Sequence, residues 1–148
     1  MHVLFIIGRV FLVLTFIYFG VGKLLDLSGT EASIKTVITI PDALSGFAIK
    51  LQDMTGLTIP RLLAILAGVV EVAGGLLVAF NIGTRWAAAV LAIVALLTVF
   101  YFHDFWNMAG DARNINLIHA LKNLSIVGGL LTFVVLGSWR PMPPSNTM

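Results

Sequence analysis

Apolar positions in this chain come in long unbroken runs rather than in alternation. Four runs stand out, at residues 3–25, 59–80, 86–105 and 115–136. Each is close to the roughly 20 residues a helix needs to cross a hydrocarbon core about 30 Å thick. The pattern predicts an all-α integral membrane four-helix bundle. It forms one domain over residues 1–140, followed by a flexible tail at 141–148, where Pro141, Pro143 and Pro144 stop any helix. The first run is not read as a cleaved leader, because Arg9 and Lys23 lie inside it and no small-residue cleavage site follows.

The breaks between runs agree with this division. Pro60 falls in the first turn of the second helix, where its missing N–H costs nothing. Asn81-Ile82-Gly83-Thr84 makes a very short turn, so the second and third helices are antiparallel neighbours. Residues 107–114, with Gly110, separate the third from the fourth. The connection between the first two spans, residues 26–58, is too long to be structureless in a small protein. Within it Leu44, Phe47, Leu51 and Met54 recur at helical spacing, with Asp42, Lys50, Gln52 and Asp53 between them. This predicts an amphipathic or re-entrant segment, either a lid over the bundle or a peripheral tie.

Composition sharpens the class. Hydrophobic residues make up 59% of the chain and charged residues 11%, against roughly 25% charged in ordinary globular proteins. Lipid is therefore the expected surrounding partner. The net charge of +2 comes from scattered basic residues, which argues against nucleic acid. The absence of cysteine excludes disulfides, thiol chemistry and Cys-ligated clusters within the chain.

Four spans put both ends of the bundle on one side, here called the terminal face; the long connection lies on the loop face. Lys35, Lys50, Arg61 and Arg113 fall at the loop face, and Arg85 and Arg140 at the other, with Arg9 near it. A balance this even does not decide the orientation. The working expectation is a multi-pass protein of the cell (inner/cytoplasmic) membrane with cytoplasmic termini.

The ionisable residues inside the runs are the informative ones. They are Arg9 and Lys23 in the first, Glu71 in the second, His103 and Asp104 in the third, and His119 and Lys122, followed by Asn123, in the fourth. A charge at mid-bilayer costs roughly 2.5 to 3.5 kcal/mol, so such groups face the interior and pair, or line a cavity. Counting about 1.5 Å per residue from the loop face puts Lys23 about 3 Å down, Lys122 about 10 Å, Glu71 about 18 Å and Arg9 about 24 Å. This predicts an ionised Glu71 anchoring an Arg9–Glu71–Lys122 cluster, with Lys23 level with Asp104. The cluster reads either as glue that fixes helix order or as glue plus a ligand site. Surplus positive charge favours a quinone head group, an oxyanion or a lipid phosphate as guest. His103 and His119 read as solvated or hydrogen-bonded residues, as proton relays, or less readily as haem or metal ligands; no metal is expected. Gly68, Gly74, Gly75, Ala87 to Ala89, Gly128 and Gly129 read as close-packing positions.

Taken in order, several short pieces resemble the DoxX family of small four-helix membrane proteins. They are Gly8-Arg9 with Phe19-Gly20-Val21-Gly22-Lys23; Glu71 with Gly74-Gly75-Leu76-Leu77; Gly83-Thr84-Arg85; Phe102-His103-Asp104-Phe105-Trp106; and Lys122-Asn123-Leu124 with Gly128-Gly129-Leu130-Leu131. The connection between the first two spans is longer than the family pattern. The resemblance implies kinship with the small membrane subunit of a thiosulfate:quinone oxidoreductase and with other membrane redox complexes. The expectation is an accessory subunit supporting a quinone or oxyanion, with no covalently bound cofactor and with a partner protein carrying the electrons. The competing expectation is a non-enzymatic scaffold or assembly partner whose buried charges are structural. A transporter would need a homo-oligomer, since no inverted repeat or broken helix pair is visible.

Overall fold

Six α-helices build the fold, described over residues 2–137 in a computed structural model; the tail at 141–148 and Arg140 lie outside the described residues. They are α1 (His2–Leu25), α2 (Leu27–Val37), α3 (Asp42–Thr55), α4 (Ile59–Ala79), α5 (Thr84–Phe102) and α6 (Gly110–Leu136). A single 3₁₀ turn, Phe105–Asn107, sits between α5 and α6. Among the described residues four segments are long and apolar enough to cross a membrane: α1, α4, α5 with its following turn, and α6. The protein is an all-α membrane bundle. α1 packs on α4, α4 on α5 and α5 on α6. α6 meets α1 mainly through side chains, as where Phe5 and Phe133 pack with ring centroids 5.4 Å apart. The outward surface is apolar, with Leu4, Phe11, Trp86 and Val135 all exposed, as a lipid solvent allows.

Glycines set the register between α1 and α4. A Cβ on Gly20 would lie 2.9 Å from both the Gly68 carbonyl oxygen and the Glu71 Cβ. One on Gly75 would meet Ile17 Cγ1 at 2.7 Å. The two backbones therefore touch at these levels, the usual way helices gain contact where no hydrophobic drive acts between them. The turn into α5 is equally local in origin. Asn81 and Gly83 both adopt left-handed backbone angles, with φ of 61° and 55°. Asn and Gly are the residues that tolerate this conformation.

The core is not spread evenly. Val13, Phe16, Val78, Ala88, Leu91, Leu130 and Phe133 are buried together in the half of the bundle towards the terminal face. The half towards the loop face is hollow and contains the polar residues described below.

The long connection forms two helices rather than one. α2 begins where Asp26 accepts a hydrogen bond from the Gly29 N–H, and it lays Glu31 and Ile34 against α4. The apolar spacing of residues 44–54 marks α3, but α2 was not evident from it. α3 buries only Ala48 and leaves Leu44, Phe47 and Met54 exposed. Two boundaries also differ from the apolar runs. α5 stops at Phe102, because His103 leaves the helical conformation at φ −128° and ψ 50°. His103 and Asp104 therefore lie in the connection rather than within a helix. α6 starts at Gly110, so Asp111, Arg113 and Asn114 occupy its opening turns.

Candidate functional site

Glu71 projects from the middle of α4 and is buried. Its partner is Lys23 of α1, whose Nζ donates to both carboxylate oxygens at 2.7 and 2.6 Å. The expected Arg9–Glu71–Lys122 cluster is thus replaced by a Lys23–Glu71 pair. Helical rise predicts the depths only if the ends of α1 and α4 are level, and they are not. In the fold, Gly20 stands opposite Gly68 and Glu71, and the first turns of α4 lie beside α2 instead. That slip brings Lys23 within one turn of the carboxylate. Lys23 also has no part with Asp104, whose carboxylate accepts from Asn107 Nδ2 at 3.3 Å.

Arg9 is separate from this pair. Its guanidinium lies over two rings, 4.9 Å from the centroid of Phe5 and 5.6 Å from that of Phe133. Sequence spacing alone made a carboxylate the natural partner; the fold supplies aromatic faces.

The remaining candidates converge. A cavity of about 500 Å³ lies between α1, α5 and α6 and is lined by Lys23, Glu71, His103, His119, Lys122 and Asn123, together with Thr15, Phe16, Phe19 and Thr98. Six of the eight sequence candidates share it; Arg9 and Asp104 are not among its walls. The two imidazoles stack, with centroids 5.1 Å apart and planes 14° from parallel. His103 Nδ1 stands 3.1 Å from Asn116 Oδ1, which fixes the ring. Near-parallel stacking keeps the ring nitrogens in adjacent planes instead of aiming them at one point between the rings, so the pair is not arranged as two opposed ligands of a single ion.

A second, larger groove of about 780 Å³ runs along α2, α4 and α5. Its walls are largely apolar, with Leu66, Val70, Val90, Ile93 and Leu97 among them. Leu66, Ile93 and Leu97 are half or more exposed, so the groove opens sideways to the hydrocarbon. The two spaces share Phe19, Lys23, Glu71 and Thr98. The ion pair is therefore a common wall, with a polar chamber on one side and an apolar groove on the other.

Phe19 and Thr98 were not selected from the sequence; in an apolar run a threonine bonded to its own helix, as Thr98 is to the Val94 carbonyl, looks unremarkable. A second polar group was also missed. Glu31 of α2 accepts from Thr58 Oγ1 at 2.6 Å and pairs with Lys35 at 2.8 Å, while Arg61 stands 3.7 Å away. The Lys35 hydrogen bond first, then that of Thr58, hold the Glu31 carboxyl below the usual range. Thr58 is the N-cap of α4, so this cluster fastens α2 to the start of that helix. The Glu31–Lys35 spacing of four residues was the available signal.

Comparison with known proteins gives a consistent picture. The DoxX family model matches residues 4–104, which includes Arg9, Lys23, Glu71, His103 and Asp104 but not α6. The inner membrane protein YphA of Escherichia coli (strain K12) is 32% identical over 135 residues, covering 91% of this chain and 84% of YphA. The inner membrane protein YqjF of the same organism is 28% identical over 132 residues, covering 89% of this chain and 82% of YqjF. No solved structure gives a significant match.

Proposed function

The chain belongs to the DoxX family, and from that premise we propose that it is the membrane subunit of a redox complex which holds a quinone in the chamber between α1, α5 and α6. The observation that carries this reading is the junction of two unlike spaces. Lys122, Asn123 and the stacked histidines line a polar chamber, and its wall at Phe19, Lys23, Glu71 and Thr98 is also the wall of an apolar groove open to lipid. A quinone has both parts: carbonyl oxygens that accept hydrogen bonds and a long apolar tail. Lys122 and Asn123 would donate to the carbonyl oxygens, and the histidines would hold or pass protons beside them. Glu71, neutralised by Lys23, adds no net negative charge to the chamber wall.

A chain without cysteine or a nucleotide motif binds and positions the guest, and a partner protein brings the electron carrier. The site belongs to the inner membrane, as the names of the relatives suggest. The termini are assigned to the cytoplasm, which puts the chamber mouth on the opposite side.

The test is binding in lipid nanodiscs. Titration with a short-tailed quinone should saturate at one per chain. Lys122→Met or Asn123→Leu should weaken it about 10- to 100-fold, as expected for one lost hydrogen bond from a charged or well-placed donor. Unchanged binding in both variants, or none in the parent protein, would remove the reading.

One observation favours a second reading. Both oxygens of Glu71 are already satisfied by Lys23. A pair so complete serves equally as a strut in a non-enzymatic assembly partner, and normal complex formation with loss of quinone binding would separate the two.

A further inference from the structure

Arg9 is buried, and the described residues offer its guanidinium two aromatic rings and no acceptor. Nε is sealed off and unpartnered. It is the sole buried side-chain nitrogen or oxygen left so among the described residues, and the Nη atoms are not sealed with it. A cation desolvated in this way needs an anion, because a guanidinium presents five donors and never loses its charge.

Among the described residues no acid lies nearby. The chain's seven acids are Asp26, Glu31, Asp42, Asp53, Glu71, Asp104 and Asp111. Six belong to the loop face, and the seventh, Glu71, is taken by Lys23. At the terminal face the described charged side chains are Arg9 and Arg85, and Arg85 Nε donates to the Val134 carbonyl in the last turn of α6.

Depth identifies what is within reach. Side chains on a helix lean towards its N-terminus, and α1 begins at the terminal face. Arg9 follows that lean and runs back one turn over Phe5. Its head therefore sits at the level of Phe5, two residues or about 3 Å inside the start of the span at Val3. Lipid phosphates lie just beyond that boundary. The paired Phe5 and Phe133 rings lie side by side beneath the head at the seam of α1 and α6, and they orient its donors before any ligand arrives.

We propose that Arg9, resting on the paired rings of Phe5 and Phe133, is a binding site for the phosphate of an anionic phospholipid in the leaflet at the terminal face. This site stands apart from the quinone chamber and does not depend on it. It ties one lipid to the α1–α6 seam, in the densely packed half of the bundle.

The experiment is native mass spectrometry of the full chain, released from micelles after reconstitution in vesicles of phosphatidylglycerol and phosphatidylcholine. The parent protein should retain one phosphatidylglycerol, and diacylglycerol, which lacks the phosphate, should not be retained. Arg9→Gln should lower the retained lipid about tenfold, the loss expected of a charge-assisted hydrogen bond. Arg9→Lys should recover part of it, and Arg113→Gln, at the other face, should leave it unchanged. Phe133→Leu keeps the charge but removes one of the two supporting rings, and it should weaken retention several-fold even if the Arg9 variants do not fold. Equal retention in Arg9→Gln and Phe133→Leu would overturn the proposal. So would displacement of the lipid by inorganic phosphate at equal concentration, which would mark a site for a free oxyanion.

Discussion

Lys23 and Glu71 lie 48 positions apart in the chain, and the Lys23 ammonium bridges both oxygens of the Glu71 carboxylate. The lysine keeps 30% of its side chain accessible, whereas the glutamate keeps 5%. The acid therefore depends on the pair more than the base does.

Glu71→Gln leaves Lys23 free to turn outwards, but Lys23→Met leaves a carboxylate in the bundle with no cation bonded to it. Lys23→Met should be the more damaging of the two, by about 1–3 kcal/mol, less than the 3–5 of a fully sealed pair because the lysine is partly accessible. The double replacement Lys23→Met with Glu71→Met should recover much of the loss. Thermal unfolding in nanodiscs reads all three, and equal loss in the double variant would show that packing matters more than charge.

Close approach at Gly20 gives a second expectation. A Cβ there meets a backbone oxygen and the root of Glu71, neither of which can move freely. Gly20→Ala should destabilise the bundle by about 1–3 kcal/mol and disturb the ion pair one turn away. Gly8→Ala is the control, since a Cβ at that position meets nothing within 4 Å. It should be neutral or stabilising by up to about 1 kcal/mol, through helix propensity. Melting temperatures of the two variants should move in opposite directions or differ by several degrees.

Acid should loosen α2. The Glu31 carboxyl is held below its ordinary range by Lys35 and then Thr58. Its contribution is full above the ordinary glutamate value of about 4.3 and is lost as pH falls through the lower native value. Hydrogen exchange in α2, corrected for the intrinsic pH effect, should accelerate in that acid range. Glu31→Gln should show the accelerated exchange already at neutral pH. Matching, pH-independent protection in parent and variant would mean that Ile34 packing alone holds α2.

If the groove along α4 and α5 carries the tail of the guest, filling it will discriminate by tail length. Val94→Trp or Ala67→Phe should weaken a long-tailed quinone about tenfold while leaving a tail-less head group within about twofold, since the tail contributes by apolar burial. Both ligands weakening alike would place the whole guest in the polar chamber.

The membrane fold was readable because crossing a bilayer demands length and apolarity, and both are properties of a linear string. Residue types for the site were readable for the same reason: Glu71, Lys122 and Asn123 stand out against hydrocarbon. Partners were not. Which lysine meets Glu71 depends on the sliding of α1 along α4, and that is decided by Gly20 against Gly68 and by α2 occupying the side of the first turns of α4. Charge is visible in sequence and points Arg9 to a carboxylate, whereas two rings from α1 and α6 meeting beneath one head group is a property of the assembled seam. Phe102 and Phe105 continue the apolar run and predict a helix through His103, yet its backbone leaves the helix.

The order of the Lys23–Glu71 pair along the chain has a consequence for biogenesis. Synthesis runs from the N-terminus, so the amine reaches the membrane 48 residues ahead of the acid. Near the end of its span, a lysine keeps its head in water while it waits. When α4 enters, its carboxylate arrives beside a cation already in position, and the costly intermediate of a lone acid in lipid is brief. Exchanging the two residues would preserve the finished contact but send the acid in first, turning an ordered delivery into an obstacle for the translocation machinery.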